Sequence, residues 1–210
     1  MKKSIIVVML ANSLLGLTAC GNNTTKQSKS TTEFQNKVVN NKKDGLSITT
    51  KYGKVDLDES YSGQINDPSK TYKAGISFSY LVKNTSNKPR SAEEILNGVT
   101  IDLIKSTKST ETALNHTDGV EEIFKADDTD GYNKMIAASH KWTNTKIKPN
   151  ASINVVDPYI YTLKSEKDYN IKYLRIGGPA TKTQNIKISE LNGKGTTYND
   201  PEEYVDSLEK

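Results

Sequence analysis

The segment from Tyr72 to Lys83 alternates apolar and polar side chains with the two-residue period of a β-strand. Its apolar face consists of Ile76, Phe78, Tyr80 and Val82. Successive side chains of a strand point to opposite faces, so this pattern predicts one buried face. Because a half-apolar strand must be covered by another layer, the segment requires a packed sheet structure.

Further segments are rich in β-branched and aromatic residues and lie between turn residues. They are Leu46–Leu57, Val99–Ile104, Ile153–Val156, Tyr159–Leu163, Tyr169–Ile176 and Asn185–Leu191. Turn sequences at 84–89, 148–150 and 177–179 support their boundaries. Together the segments predict an all-β domain of about seven strands in two packed antiparallel sheets.

Two short helices are predicted at the periphery of this domain. Ser91 and Glu94 form a capping-box pattern before an apolar pair, which predicts a helix between two strands. Near the C-terminus, Asp200 precedes Pro201 and two glutamates, a combination typical of a helix start.

The N-terminus has the layout of a signal peptide, which we place at residues 1–19. Lys2 and Lys3 precede an almost uninterrupted apolar run, Ile5–Leu17. As a helix this run would rise about 20 Å, less than the roughly 30 Å hydrocarbon core of a bilayer. A cleaved signal is therefore favoured over a permanent transmembrane helix.

Leu17, Thr18 and Ala19 directly precede Cys20, the only cysteine of the chain. This run resembles the lipobox of bacterial lipoproteins, which implies a diacylglyceryl thioether on Cys20 and cleavage before it. A buried cysteine behind an ordinary signal peptide is the alternative. The lipobox interpretation predicts a membrane partner through covalent lipid, with the protein anchored to the extracellular face of the cell membrane.

Composition divides the mature chain into three parts. Residues 20–43 are mostly Asn, Thr, Ser, Gln and Lys, and we expect a lipidated cysteine followed by a disordered tether. Residues 44–192 are expected to be the β-sandwich domain, and residues 193–210 a C-terminal tail with a short helix. Without Lys2 and Lys3, the chain has 27 basic and 25 acidic residues. This nearly balanced charge predicts no nucleic-acid partner.

Three features together resemble Gram-positive surface lipoproteins that carry an immunoglobulin-like or telokin-like domain of unknown function. They are the lipobox with its tether, the strand that runs into the turn Asn84–Pro89, and the stretch from Lys148 to Leu163. The resemblance covers about residues 44–191 and implies an immunoglobulin-like antiparallel β-sandwich. The chain departs from the family pattern at Asn150, where glycine is common, and in the longer, more polar segment Thr110–Trp142. The family implies no catalytic residues.

The chemistry-bearing residues do not form a recognisable catalytic motif. Asp127, Asp128 and Asp130 resemble half of a calcium loop, but the first and twelfth positions of such a loop would both be alanine. An acidic turn is favoured over a nonstandard calcium site. His116 and His140 belong to no metal-binding pair and are interpreted as ordinary loop or strand-edge residues. We expect no catalytic residue, cofactor or metal.

Aromatic residues supply the candidate ligand contacts. The chain has 11 tyrosines and one tryptophan, and exposed tyrosines suit peptide and sugar recognition. Those on the predicted strand faces are interpreted as core. Trp142, Tyr132, Tyr198 and Tyr204 lie in polar stretches and are the predicted possible contact residues.

These observations favour a noncatalytic, lipid-anchored extracellular module that binds an unidentified protein or envelope polymer. A solute-binding lipoprotein of a transporter is the first alternative, although about 150 strand-rich residues are few for two α/β lobes. An envelope-active enzyme is the second alternative, and it would require acidic or metal-binding residues brought together by the fold.

Overall fold

Segments with alternating apolar and polar side chains form β-sheets in the computed structural model of the protein. The structure describes residues 34–41, 45–58, 62–66, 74–118, 129–163, 171–191, 196–199 and 201–207. The described strands are β1 Lys37–Asn41, β2 Gly45–Thr49, β3 Gly53–Leu57, β4 Gly63–Asn66, β5 Ala74–Ser77, β6 Ser79–Asn84, β7 Thr100–Ser106, β8 Glu111–Ala113, β9 His116–Asp118, β10 Ser152–Val156, β11 Tyr159–Leu163, β12 Ile171–Gly177, β13 Gln184–Lys187 and β14 Thr196–Tyr198. The described helices are α1 Ala92–Leu96, α2 Thr129–Thr143 and α3 Pro201–Ser207, with a 3-10 turn at Ile188–Glu190.

The described strands form three sheets. Sheet 1 has the order β1-β2-β3-β6-β10, sheet 2 the order β14-β4-β5-β11-β9, and sheet 3 the order β13-β12-β7-β8. Neighbouring strands pair antiparallel except β14, which runs parallel to β4. Sheet 1 therefore ends at β10, whose described pairing is with β6 alone.

The main hydrophobic core takes side chains from all three sheets. Val82 of sheet 1, Leu163 of sheet 2 and Leu174 of sheet 3 are fully buried in one cluster. The rings of Phe78 and Tyr161 meet edge to face with centroids 5.6 Å apart, a geometry that aromatic pairs prefer. The fold is an all-β sandwich, as the alternating pattern predicted, because its strands bury their apolar faces against one another.

A smaller core cluster joins sheet 2 to the last two helices. Met135 of α2 and Tyr204 of α3 are fully buried there, together with Ile65 of β4 and Ile160 of β11. This cluster attaches α2 and α3 to the sandwich.

The predicted segments contain strands in the structure, but Ile188–Glu190, within the predicted strand Asn185–Leu191, is a 3-10 turn, and some other segments divide. Leu46–Leu57 forms the hairpin β2–β3, and the segment around Phe78 divides into β5 and β6. The described part of the chain also contains β1, β4, β8, β9 and β14, which gives more strands than the predicted seven or so. Short strands with exposed side chains carry a weak alternation signal. The immunoglobulin-like arrangement implied by the family resemblance stays a prediction.

The predicted turn and cap signals correspond to local geometry. The Ser91 hydroxyl accepts from the Glu94 N–H at 3.3 Å, and a Glu94 carboxylate oxygen accepts from the Ser91 N–H at 2.9 Å, which confirms the capping box. Asn150 has a φ of 64°. Asparagine tolerates this left-handed conformation better than most residues, which explains its presence at this turn.

The structure differs from the predicted domain limits at both ends. Residues 37–41, inside the predicted tether of 20–43, form β1 and pair along their whole length with β2. Val38 is buried in the main core, which supplies the stabilisation that the polar composition did not suggest. In the predicted tail of 193–210, β14 and α3 are packed elements of the domain. The rest of the tether, residues 20–33, lies outside the described residues.

The long polar segment Thr110–Trp142 contains β8, β9 and most of α2. The helix was not predicted, since Gly131, Ser139 and Thr143 are weak helix formers and its buried side is narrow. Packing of Met135 in the smaller core, rather than intrinsic propensity, accounts for its stability.

Candidate binding cleft

A cleft of about 710 Å³ lies between α2 and β10. Its walls are Asn133, Lys134, Ala137, Ala138 and Lys141 of α2, and Ile153, Asn154, Val155 and Val156 of β10. Asp58 and Ser79 line it from sheet 1, and Val205 and Ser207 line it from α3. Residues of α2 spaced three or four apart share a helix face, so the helix presents one continuous wall.

The helical wall is set back because two of its side chains are small. Ala137 and Ala138 project no atom beyond Cβ, which leaves room between the helix and the strand. Larger side chains at these two positions would occupy part of the space. The alanines also favour the helix, because alanine has the highest intrinsic helix propensity.

The strand wall includes the edge of β10 and part of one face of sheet 1, since Ser79 of β6 and Asp58, which follows β3, also line the cleft. Four consecutive β10 residues line the cleft, whereas only alternate residues would line a space above one face. The Asp157 N–H donates to the Phe78 carbonyl at 2.9 Å, and the Asn84 N–H donates to the Ala151 carbonyl at 3.0 Å. These bonds place the odd-numbered residues of β10 in hydrogen-bonded pairs with β6.

Antiparallel alternation then fixes where the other backbone groups point. The N–H and C=O groups of Ser152, Asn154 and Val156 are directed away from β6. Within the described part of the chain, no strand pairs with this side of β10.

The two lysines of the helical wall differ in their surroundings. Lys134 lies 2.7 Å from a carboxylate oxygen of Asp206 and 3.5 Å from one of Asp130. Lys141 is exposed and has no ion-pair or hydrogen-bond partner among the described residues. Lys141 is therefore available to an anionic group of a ligand.

A half-buried acid, Asp157, follows the last residue of β10. One Asp157 carboxylate oxygen accepts from the Tyr159 N–H at 3.0 Å, and the other accepts from the Tyr80 hydroxyl at 3.4 Å. Burial raises the pKa of Asp157 to about 6, against the opposing effect of these hydrogen bonds and of His116. Burial also raises the pKa of Tyr80 well above its usual value. Asp157 can thus exchange a proton near neutral pH, but it does not line the cleft.

The predicted ligand-contact residues are not brought together, and two of them are internal. Tyr198 and Tyr204 have 3% and 0% exposure, and their rings meet at 5.2 Å in the smaller core. Trp142 is half-buried and packs on Tyr80 with centroids 5.8 Å apart. Only Tyr132 of these four is exposed, at 43%. The polar sequence around Tyr198 and Tyr204 predicts exposed side chains, but packing in the smaller core buries both.

The remaining candidates are dispersed. Asp130 lies in the first turn of α2, where its carboxylate is 3.5 Å from Lys134, while Asp127 and Asp128 lie outside the described residues. His116 stacks on Tyr159 with centroids 5.4 Å apart, and His140 is exposed on α2. Within the described ranges, no group of three or more His, Cys, Asp or Glu side chains is placed to hold a metal ion.

The predicted anchor residues, Leu17, Thr18, Ala19 and Cys20, also lie outside the described residues. None of the helices in the described part of the chain has the length and apolar character needed to span a bilayer.

No protein-family model matches this chain, and no curated protein matches it significantly. It is similar to a solved structure described as a "putative lipoprotein from Staphylococcus aureus subsp. aureus NCTC 8325", with 14% identity and a TM-score of 0.49, over 78% of this chain and 98% of that one. A conserved hypothetical protein from Bacillus anthracis is similar at 13% identity and a TM-score of 0.39, over 74% and 99% of the two chains. At TM-scores below 0.5, neither likeness assigns a function to this chain.

Proposed function

We propose that this protein is a lipid-anchored, noncatalytic binding module on the extracellular face of a bacterial membrane, and that it binds its partner in the cleft between α2 and β10. The anchor part rests on the sequence from Leu17 to Cys20. The binding part rests on one observation, a cleft of about 710 Å³ with residues of β10 on one side and α2, including the exposed Lys141, on the other.

The lining of the cleft favours recognition over chemistry. Its described walls combine aliphatic side chains with polar residues and two lysines, and Asp58 is the acidic residue among them. Apolar walls with a few placed polar groups are typical of binding sites. Asp157, whose pKa is raised, is engaged by two hydrogen bonds and is not among the residues that line the cleft.

A solute-binding lipoprotein is a second candidate because of the size of the cleft. A volume of about 710 Å³ lies within the range of roughly 300 to 1,000 Å³ that is typical of small-molecule sites. Under this candidate, a small anionic solute would pair with Lys141.

The test uses Trp142 as a reporter. It is the only tryptophan of the chain, it follows the cleft residue Lys141, and it packs on Tyr80. We would titrate the lipidated mature chain in nanodiscs with three probes, namely muropeptides, a wall teichoic polymer and a set of extended seven-residue peptides. We expect at least one probe to change the Trp142 emission in a saturable way.

Two variants of α2 locate the binding surface. Ala137→Leu fills the cleft with little cost in helix propensity, and should weaken binding at least tenfold. His140→Leu adds a similar side chain at an exposed position outside the cleft lining, and should bind as the wild type does. Equal affinities of Ala137→Leu and wild type, or no saturable binding of any probe, would contradict the proposal.

A further inference from the structure

A row of side chains on the outer face of sheet 1 contains three lysines. The strand register places its members side by side, in the order Lys37, Thr49, Lys54, Lys83 and Ser152. The residues next to the first four along their strands are buried in the main core, namely Val38, Ile48, Val55 and Val82. Because successive side chains of a strand point to opposite faces, the row points outwards. Four of its members are exposed, and the side chain of Lys54 is 44% exposed.

The row is unfavourable for the fold on its own. Lys54 and Lys83 lie directly opposite each other across β3 and β6, and like charges in that position destabilise a sheet. Asp56, with a carboxylate oxygen 2.6 Å from the Lys54 ammonium, offsets one of these charges. Lys37 and Lys83 have no ion-pair or hydrogen-bond partner among the described residues. An anionic partner would therefore stabilise this surface.

Three turns extend the positive surface beyond the row. The β2–β3 turn, the turn after β6 and the turn before β10 lie at one end of sheet 1, because β3 and β10 begin where β6 ends. The Asn84 side chain joins two of these turns by donating to the carbonyls of Lys88 and Ile147. The Thr85 N–H joins the third by donating to the Tyr52 carbonyl at 3.0 Å. With the row, the turns form what we call the basic end, which consists of Lys37, Lys51, Lys54, Lys83, Lys88, Arg90 and Lys148.

The basic end concentrates positive charge. It lies at Lys37 and within 49–54, 83–90 and 148–152, which together hold seven of the 27 basic residues of the mature chain and none of its 25 acidic ones. The adjoining elements β3 and α1 add three acids, Asp56, Glu93 and Glu94. Asp56 pairs with Lys54, and Glu94 pairs with Lys146 outside the basic end. The net charge of this end stays positive, which attracts an anionic partner.

The position of the tether favours a membrane as that partner. β1 begins at Lys37, within the basic end, and residues 21–36 separate it from Cys20. Fully extended, that length of chain spans at most about 60 Å, so a lipid on Cys20 would keep the basic end near the bilayer. On the basis of the lipid anchor in the proposed function, we propose that the basic end binds the anionic lipid headgroups of the membrane that holds the anchor.

This contact leaves the cleft accessible. None of the seven residues of the basic end lines the cleft. Ser79 and Val156, which do line it, lie at the opposite ends of β6 and β10, and the six residues of β6 span roughly 20 Å. The attraction between lysines and anionic lipid falls off within a Debye length, so it is reversible. The basic end therefore orients the domain on the membrane, while the lipid holds it there.

Vesicle co-sedimentation of the unlipidated mature chain, residues 20–210 with Cys20→Ala, measures this contact without the anchor. One vesicle contains equal parts of phosphatidylglycerol and phosphatidylcholine, and the other contains phosphatidylcholine alone. At low ionic strength we expect binding to the anionic vesicle to be at least about tenfold tighter. This preference should disappear at high salt, which screens the charges.

Two double variants with the same change of charge locate the surface. Lys83→Gln/Lys148→Gln should weaken binding to the anionic vesicle by about 25-fold, at roughly fivefold for each lysine. Lys108→Gln/Lys172→Gln is the matched control, because it removes two exposed lysines that lie in β12 and the β7–β8 turn of sheet 3. This control should weaken binding by less than about twofold.

Equal binding to the two vesicles, or equal losses in the two double variants, would overturn the inference. Binding of soluble teichoic polymer through Lys83 and Lys148 without binding to the anionic vesicle would also overturn it, because the partner would then be a polymer. The proposed binding function is tested separately. Lys83→Gln/Lys148→Gln should leave probe binding in the cleft unchanged, whereas Ala137→Leu should weaken probe binding and leave vesicle binding unchanged.

Discussion

The hydroxyl of Tyr80 donates a hydrogen bond to the carboxylate of Asp157 at 3.4 Å and connects β6 to the residue that follows β10. Tyr80 is buried in the main core and packs against Trp142 of α2. Asp157 and α2 are therefore in contact with the same tyrosine. Without this hydrogen bond, the Tyr80 hydroxyl would need another hydrogen-bond partner in the core.

We expect Asp157→Asn to stabilise the protein at neutral pH. Burial raises the pKa of Asp157 from 3.8 to about 6, so the folded protein binds the proton more tightly than the unfolded chain does. The stability that this group contributes is fully present below about pH 3.8 and is lost as the pH rises through 6. Asparagine carries no charge and still accepts from the Tyr159 N–H.

Urea unfolding of both proteins between pH 4 and pH 7.5 measures this effect. The stability of Asp157→Asn relative to wild type should rise by about 2 kcal/mol over this interval, since one pKa unit corresponds to roughly 1.4 kcal/mol. The comparison with wild type cancels the titration of the other groups. A difference that is constant with pH would show that the pKa of Asp157 is not raised.

Asn84 is expected to tolerate no acidic replacement. Its side-chain amide donates to the carbonyls of Lys88 and Ile147, both at 2.8 Å, and its oxygen accepts from Ser86 N–H and Oγ. In Asn84→Asp, a buried carboxylate would face two carbonyl oxygens, which costs at least about 2 kcal/mol. Chemical denaturation at pH 7 should show this loss. Asn87→Asp, in the same turn but exposed, should change stability by less than about 0.5 kcal/mol.

Gly53 is expected to be required for close packing of β3. A Cβ at this position would overlap the carbonyl oxygen of Lys83 and lie 2.8 Å from Cγ2 of Ile95. Gly53→Ala should therefore lower the free energy of unfolding by about 1 to 3 kcal/mol. Gly177→Ala is the matched control, because its Cβ would meet only threonine side chains at 3.2 Å or more. Equal melting temperatures of Gly53→Ala and wild type would contradict the expected clash.

The core strands and the capped helix α1 could be predicted because their signals are local. The alternation through Tyr80 and Val82 reflects a strand with one face in the core, and the Ser91 capping box is a contact between residues three apart. Asn84 was recognised as a turn residue, and the structure adds that it also bonds to Ile147, far along the chain. That long-range bond has no local sequence signature.

The cleft could not be predicted because it depends on how distant segments are placed. In the sequence, Ala137 and Ala138 look like ordinary helix residues. They line a cleft only because the fold places α2 beside β10. Likewise, Tyr198 and Tyr204 are surrounded by polar sequence, but packing of β14 and α3 on sheet 2 buries them. A better signal for α2 was the apolar pair Met135 and Ile136 within the polar segment, although a single pair does not establish helical periodicity.

Cys20→Ala is expected to separate the anchor from the folded domain. Without its thiol, residue 20 cannot receive the diacylglyceryl group, and the precursor would be retained uncleaved or the protein released into the medium. Among the described residues, the main core and the cleft are formed by residues from Val38 onward, so we expect the free energy of unfolding and probe binding to stay unchanged. Detergent phase partitioning and mass spectrometry of the wild-type and variant proteins measure the lipid directly.

Ser13→Ala, a conservative change within the apolar run, should still be lipidated and cleaved. A cleaved, membrane-retained Cys20→Ala protein would refute the anchor, since two acyl chains on this residue are the only source of stable attachment that the proposal contains.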